Sequence, residues 1–138
     1  ILECYQILNV LSGKSKGRGW VNHPAVLMWE GAENDLWRYA MTAVKLADMR
    51  GIKTENNLAN LKALAKTSVL SWGDNDPAWV KSPTVIKRVN TTHQANLYRK
   101  DPIYYAHYAN SVNSEYNKPC CSTCQYYWPT HPLKSKNV

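Results

Sequence analysis

Apolar residues recur every three or four positions in several segments of this chain, and that period is typical of amphipathic α-helices. In the first segment, this spacing places Ile1, Leu8 and Leu11 on one face. The predicted helices are ILECYQILNVL, the stretch from Pro24 to about Arg50, the stretch that follows Thr54, and TVIKRVNTTHQANLYRK after Pro83. We therefore predict an all-α fold: a single compact helical bundle domain with irregular loops and an extended C-terminal tail.

Local signals also predict where helices end. Gly51 closes the second predicted helix, and Asp101-Pro102 is typical of an N-cap followed by the first residue of a helix that begins IYYAHYA. The sequence loses its periodicity from Ser111 onward. We expect a helical domain at residues 1–110 and an irregular C-terminal extension at 111–138.

The charge of the chain favours a polyanionic partner. Among 138 residues, 17 Lys and Arg stand against 10 Asp and Glu, which gives a net charge of +7. The six Trp and nine Tyr, with no Phe, suit base stacking as well as a hydrogen-bonded core. The chain lacks both an apolar run of roughly 18 residues and a signal-peptide pattern. We expect a cytoplasmic protein, in the host cell cytoplasm if it is viral, without a membrane partner.

Two basic segments are candidates for phosphate contacts. Lys14, Lys16 and Arg18 lie in the glycine-spaced segment GKSKGRG, whose backbone amides could also approach a phosphate. A polar stripe follows His93 on the predicted fourth helix and comprises Asn96, Arg99 and Lys100. A solvated linker and a solvated helix face are equally consistent with these patterns.

The motif GWVNHPAVLMWEG places a rigid polar corner between aromatic residues. Asn22 and His23 precede Pro24, and the start of a helix disfavours a charged imidazole at His23. The histidine is therefore either a neutral donor or acceptor at a site, or a capping residue that fixes the loop. Trp20 and Trp29 are expected to anchor the two sides of the corner.

Three cysteines and a histidine lie close together in the tail segment CCSTCQYYWPTH. Cys120, Cys121, Cys124 and His131 are ligand types that bind zinc, but structural zinc sites usually show two well-separated ligand pairs. We therefore expect thiols, no bound metal and no cofactor. Cys4 is expected to be a buried core thiol.

Three motifs in this order resemble the pyrimidine-dimer DNA glycosylase family, the bacteriophage endonuclease V-like repair enzymes. They are ILECYQIL, GWVNHPAVLMWEG and HQANLYRKDPIYYAHY, and the resemblance extends from Ile1 to about Tyr108. It implies a compact bundle of α-helices that removes the 5′ base of an ultraviolet-induced dimer and nicks the strand by β-elimination. Its implied partner is damaged double-stranded DNA, bound by a monomer.

The resemblance also implies roles for particular groups. Glu3 matches a glutamate that supports attack at the damaged sugar, and the α-amino group of the mature N-terminus is the implied nucleophile. Roughly two dozen residues precede this glutamate in the family, whereas Ile1 and Leu2 precede it here. We expect an N-terminal segment to be missing from the chain as written.

Two hypotheses follow from these observations. In the first, the protein is a DNA glycosylase and AP lyase in which Glu3 is catalytic. In the second, it is a non-catalytic DNA-binding or virus-particle-associated protein that has the same helical bundle but lacks the catalytic activity. The residues expected to bind DNA are Lys14, Lys16, Arg18, Asn22, His23, His93, Asn96, Arg99, Lys100, Tyr104 and Tyr105, with Tyr108 near the DNA or the core.

Overall fold

A computed structural model describes residues 1–16, 19–122 and 124–129 of the chain. Throughout these residues the regular elements are α-helices and 3₁₀ helices, without a strand, which confirms the predicted all-α fold. None of the described helices is long and apolar enough to cross a membrane.

The chain divides into two compact units, Ile1–Pro77 (the N-terminal unit) and Ala78–Val138 (the C-terminal unit). The domain boundary expected near residue 110 stays a prediction.

The helices of the N-terminal unit follow most of the predicted segments. They are α1 (Leu2–Leu11), α2 (Pro24–Leu27), α3 (Glu33–Met49) and α4 (Glu55–Ser68), and a 3₁₀ segment follows at Val69–Ser71. Gly51 lies just beyond the end of α3, as predicted. Thr54 occupies the N-cap of α4, but its side chain makes no capping hydrogen bond.

The prediction of one helix from Pro24 to about Arg50 is wrong, because a turn separates α2 from α3. Gly31 has a φ of +77°, a left-handed conformation that ends a helix. The buried carboxylate of Glu33 accepts hydrogen bonds from the backbone N–H groups of Gly31 (3.1 Å) and Gly73 (2.7 Å). Gly73 lies so close that a Cβ there would be 2.2 Å from the carbonyl oxygen of Gly31. The contacts of Gly73, which follows α4 in the sequence, therefore hold the turn between α2 and α3 in place.

The hydrophobic core of the N-terminal unit forms where α1, α3 and α4 pack together. Its buried members are Leu8, Leu36, Ala40, Val44, Leu61, Leu64 and Trp72. Burying one leucine contributes about 1.5–3 kcal/mol. Two indoles also make hydrogen bonds, from Trp37 Nε1 to the carbonyl of Leu61 (3.3 Å) and from Trp72 Nε1 to the hydroxyl of Ser12 (2.7 Å). This packing fixes α1, which carries Glu3.

The C-terminal unit is built around α5 (Pro83–Lys100), with 3₁₀ segments at Ala78–Lys81 and Ala106–Ser111. The start of α5 confirms the prediction: Pro83 is its first residue, and the hydroxyl of Ser82 accepts a hydrogen bond from the N–H of Val85 (3.4 Å).

The prediction that a helix opens at Asp101-Pro102 is wrong. Residues 102–105 form a turn, in which Oδ1 of Asp101 accepts a hydrogen bond from the N–H of Tyr104 (3.0 Å). Helical structure resumes only at Ala106, as a 3₁₀ segment. The local capping signal was correct, but the residues after it make one turn and do not continue as an α-helix.

The irregular tail packs against α5 through hydrogen bonds and aromatic contacts. The guanidinium of Arg88 donates to the carbonyls of Lys118 (2.8 Å) and Pro119 (3.1 Å), and it lies 3.9 Å from the ring centre of Tyr127. The N–H of Tyr127 in turn donates to the fully buried hydroxyl of Thr92 (3.1 Å). The tail lacks helical periodicity, as expected, yet α5 holds it in a defined position.

Candidate functional site

Glu3 lies in the first turn of α1 with its side chain exposed. Its neighbours Cys4 and Tyr5 pack against the core, so the backbone beneath the carboxylate is fixed. The helix dipole stabilises a negative charge at this position. Neither of the ion pairs found in the described ranges includes Glu3. The carboxylate is therefore accessible to a molecule in solution.

The polar corner at Asn22-His23 forms the start of α2. Nδ1 of His23 accepts a hydrogen bond from the N–H of Ala25 (3.2 Å), which requires that nitrogen to be unprotonated. His23 thus has the capping role that was one of its two sequence-based interpretations. Trp29 packs against the core, whereas Trp20 is 60% exposed and lies 4.8 Å from the His23 ring centre. Asn22 is exposed.

The basic loop after α1 presents its lysines to solvent. Lys14 and Lys16 are both exposed, and the backbone N–H of Lys14 donates to the carbonyl of Asn9 (2.9 Å). Arg18 lies outside the described residues. The two lysines can meet an anion without first breaking a salt bridge, since the ion pairs of the described ranges do not include them.

A basic pocket lies in the C-terminal unit at the end of α5. It has a volume of about 390 Å³ and is lined by Asn96, Arg99, Lys100, Asn117, Pro119 and Gln125. Three of the residues predicted as a phosphate-binding stripe thus share one cavity. The two cations, Arg99 and Lys100, provide several hydrogen-bond donors, which suit a phosphate group. We call this cavity the α5 pocket.

Asn96 connects the residues that line the α5 pocket through its side-chain hydrogen bonds. It is only 4% exposed, and its Nδ2 donates to the carbonyls of Thr92 (2.9 Å) and Gln125 (2.7 Å). Its Oδ1 accepts from the guanidinium of Arg99 at 3.4 Å. Asn96 therefore links α5 to the tail and orients Arg99, whereas Arg99 and Lys100 are exposed.

His93 is packed under the tail. Its Nδ1 is 2.8 Å from the carbonyl oxygen of Val89. Because a carbonyl only accepts, the proton of the ring lies on Nδ1. The ring centres of Tyr126 and Trp128 are 4.7 Å and 5.2 Å from that of His93. These contacts give His93 a packing role in the C-terminal unit.

An aromatic group follows the basic end of α5. Tyr104 is 72% exposed and meets Tyr105 edge to face at 4.8 Å, and Tyr105 stacks on Tyr108 at 6.2 Å. The ring of His107 lies 4.0 Å from that of Tyr108. Ile103, beside Tyr104, is 91% exposed. Apolar and aromatic surface is thus available next in sequence to Arg99 and Lys100.

Sequence reasoning missed the walls of the α5 pocket that come from the tail. Asn117, Pro119 and Gln125 lie in a segment without periodicity, so no local pattern indicates where they pack. Arg88, which holds Pro119 in place, was also missed. The turn-forming residues around Asn117 and Pro119 were the one available signal. They indicate a turn, but they do not show which element the turn packs against.

The thiols occupy two different environments. Cys4 packs against the core of the N-terminal unit, and burial raises the pKa of its thiol. Cys120, Cys121 and Cys124 have their sulfur atoms within 4.8 Å of one another. The hydrogen bond between Cys121 and Cys124 raises the pKa of the Cys124 thiol to about 12.

Comparison with known families bears on the N-terminal part of the chain. The model of the family described as pyrimidine dimer DNA glycosylase matches residues 1–60. The resemblance to this family is confirmed over those residues. No match was found among the curated proteins or the solved structures. At the level of the family, the match supports a DNA repair glycosylase whose substrate is DNA.

The stretch that is similar to the pyrimidine dimer DNA glycosylases includes only part of the predicted site. Glu3, Lys14, Lys16, Asn22 and His23 lie inside residues 1–60, and the α5 pocket lies outside them. The third motif of the sequence resemblance, HQANLYRKDPIYYAHY, is likewise outside the matched stretch. Its assignment to the family stays a prediction.

Proposed function

We propose that this protein is a DNA glycosylase and AP lyase that acts at ultraviolet-induced pyrimidine dimers. The observation that carries the proposal is the exposed carboxylate of Glu3, on the first turn of a well-packed helix and inside the stretch that matches the family. A carboxylate at a fixed position can stabilise positive charge on a sugar and can transfer protons.

The proposed reaction begins with attack by an amine on C1′ of the 5′ nucleotide of the dimer. A bond forms between the amine nitrogen and C1′ while the glycosidic bond breaks, and the departing base takes up a proton. The nitrogen then loses a proton and the sugar ring opens, which leaves a Schiff base. The α-amino group of the mature protein is the proposed nucleophile, because its reference pKa of about 7.7–8.0 leaves more of it neutral than a lysine at about 10.4.

Glu3 is the proposed catalytic carboxylate in both halves of this reaction. In the first half its negative charge stabilises the cationic sugar as the glycosidic bond breaks. In the second half it accepts a proton from C2′. The electron pair of that C–H bond forms the new double bond and expels the 3′ phosphate, which nicks the strand by β-elimination.

Binding of the DNA backbone is assigned to the basic residues. The α5 pocket offers the exposed cations of Arg99 and Lys100, with Asn96 orienting the guanidinium. Lys14 and Lys16 add exposed cations in the N-terminal unit. Contacts of this kind release counterions and do not depend on sequence, which suits an enzyme that must find rare lesions in any context.

The aromatic rings after α5 are assigned to contacts with bases. Tyr104 and Tyr105 present aromatic surface that can stack on a base displaced from the duplex. His23 and His93 are assigned to positioning, because His23 caps α2 and His93 supports the tail that lines the α5 pocket. Arg18 and Asn22 complete the proposed DNA-binding set.

Borohydride trapping of the full-length protein tests the proposal. Borohydride delivers hydride to C1′ of a Schiff base and leaves a stable amine, so only an enzyme that forms this intermediate becomes covalently joined to DNA. We expect adducts on duplexes that carry a pyrimidine dimer or an abasic site, and none on undamaged duplex. Binding to the damaged duplexes without any adduct would instead support the non-catalytic DNA-binding protein.

A further inference from the structure

The three cysteines of the tail form a cluster that the proposed reaction does not use. The sulfur atoms of Cys120, Cys121 and Cys124 lie within 4.8 Å of one another, and those of Cys121 and Cys124 are 2.9 Å apart. The N–H of Cys124 donates to the carbonyl of Cys121 at 3.3 Å, so these two residues lie close together. We propose that these three cysteines bind a zinc ion.

The dimensions of the cluster suit a zinc ion. Tetrahedral zinc with Zn–S bonds of about 2.3 Å separates its sulfur ligands by about 3.8 Å. All three sulfur atoms lie within 4.8 Å of one another, and the 2.9 Å between those of Cys121 and Cys124 is shorter than this spacing, which the thiol side chains reach by rotating about their own bonds. Thiolates are soft ligands that select zinc over magnesium or calcium. Three of the four positions of a tetrahedral ion are thus supplied by one short loop.

The ends of the cysteine loop are held independently of the cluster. At its start, Arg88 bonds to the carbonyls of Lys118 and Pro119 (2.8 Å and 3.1 Å). At its end, Asn96 bonds to the carbonyl of Gln125 at 2.7 Å. The loop also closes on itself, because the N–H of Cys120 donates to the carbonyl of Tyr126 at 3.4 Å. A loop held in this way loses little further entropy when it binds an ion.

This arrangement differs from the sequence-based expectation of no bound metal. That expectation rested on the short spacing of the ligands, whereas two separated pairs are typical of structural zinc sites. Here the chain reverses between Cys120 and Tyr126, so closely spaced cysteines converge without a second pair. His131, the fourth candidate ligand in the sequence, lies outside the described residues.

The site also has a structural consequence for its surroundings. Pro119 and Gln125 flank the cysteine loop and line the α5 pocket. An ion bound by the loop therefore stiffens one wall of the α5 pocket. The zinc proposal itself does not depend on the proposed enzymatic function, since it rests on the cysteine geometry alone.

Metal analysis of the full chain tests the zinc site. The protein is purified under reducing conditions without chelators, dialysed, and measured for zinc by mass spectrometry. We expect one zinc ion per chain, lost in Cys121→Ser and in Cys124→Ser and retained in the matched control Cys4→Ser. Circular dichroism of each variant shows whether its helices remain folded.

Cobalt substitution of the unaltered chain provides a second measurement that does not depend on a variant. Co²⁺ bound by several thiolates gives a sulfur-to-metal charge-transfer band and the intense visible bands of tetrahedral coordination. We expect both, with displacement by stoichiometric Zn²⁺. Neither zinc nor these bands in the folded protein would overturn the proposal. A disulfide between Cys121 and Cys124 in protein kept reduced during purification would overturn it as well.

Discussion

The N-terminal unit buries leucines between three helices, whereas the C-terminal unit buries a face of one helix that carries both polar and apolar side chains. In the first, Leu8, Leu36 and Leu61 are almost fully buried and pack against one another's helices. In the second, the buried residues of α5 include Thr92 and Asn96, whose hydrogen bonds hold the tail. The N-terminal unit therefore gains its stability mainly from buried apolar area, while the C-terminal unit also depends on particular donor and acceptor pairs.

The largest expected effect on stability comes from truncating a side chain in the apolar core. Leu8→Ala removes a fully buried side chain where α1, α3 and α4 meet, and we expect a loss of about 2–5 kcal/mol in the free energy of unfolding. Urea denaturation followed by circular dichroism measures this loss. Leu70→Ala is the control, because Leu70 is 101% exposed and its truncation should cost less than about 0.5 kcal/mol. Equal effects of the two changes would contradict the description of the core.

A smaller effect is expected from the polar anchor of the C-terminal unit. Asn96→Ala removes the hydrogen bonds that a buried side chain donates to the carbonyls of Thr92 and Gln125, at a cost of about 1–3 kcal/mol. Hydrogen exchange at the amide of Tyr127 should become faster, because the tail loses its attachment to α5. Asn90→Ala, an exposed change on the same helix, should leave the exchange unaltered. Unchanged protection in Asn96→Ala would show that other contacts suffice to hold the tail.

The electrostatic role of the C-terminal unit gives a more modest prediction. If Arg99 contacts a phosphate, Arg99→Ala should reduce the slope of log K against log salt for duplex DNA by about 0.9. Arg50→Ala is the matched control, an exposed arginine at the end of α3 outside the α5 pocket. Binding is measured by fluorescence anisotropy over a range of salt concentrations. The same slope in the parent and in Arg99→Ala would remove Arg99 from the interface.

The smallest effect concerns the thiol inside the N-terminal unit. Burial raises the pKa of Cys4, so at a given pH less of it is thiolate in the folded chain than in the unfolded chain. Alkylation of Cys4 should therefore be slower in buffer than in urea at the same pH, and it should accelerate only at a pH above the usual thiol range. Peptide mapping by mass spectrometry follows Cys4 separately from the tail cysteines. Equal rates in buffer and urea would mean that the thiol is open to solvent.

Helix positions were predictable where the signal is local. The start of α5 depends on Ser82 and Pro83, which are adjacent, and the end of α3 depends on residues next to Gly51. The interruption between α2 and α3 was not predictable, because it requires Gly73 to approach Gly31 from a distant part of the sequence. Gly31 is a helix-ending residue of the same kind as Gly51, but helical patterns continue on both sides of it, so the sequence pattern did not separate the two helices.

The candidate site likewise has one part that local sequence signals predicted and one part that depends on tertiary contacts. Asn96, Arg99 and Lys100 were expected to share a surface because they are spaced three and four residues apart on one helix, and they do line one cavity. The opposite wall comes from Asn117 and Gln125, whose positions are set by hydrogen bonds between α5 and an aperiodic tail. The convergence of the three cysteines likewise depends on a chain reversal that their spacing does not indicate.

The catalytic assignment of Glu3 is the claim on which the account depends most. Glu3→Gln keeps the size and helix propensity of the side chain but removes its charge and its ability to exchange a proton. Glu55→Gln is the matched control, because Glu55 is also an exposed glutamate in the first turn of a helix of the N-terminal unit. Both variants are made in the full-length protein and compared with the parent on one dimer-containing duplex.

The decisive measurement is single-turnover base excision together with binding to that duplex. We predict that Glu3→Gln binds at least as tightly as the parent, since a negative charge near phosphates is removed, while excision slows by about 10²- to 10⁴-fold. Glu55→Gln should match the parent in both. Equal excision rates for Glu3→Gln and the parent would contradict the assignment of Glu3 as the catalytic carboxylate.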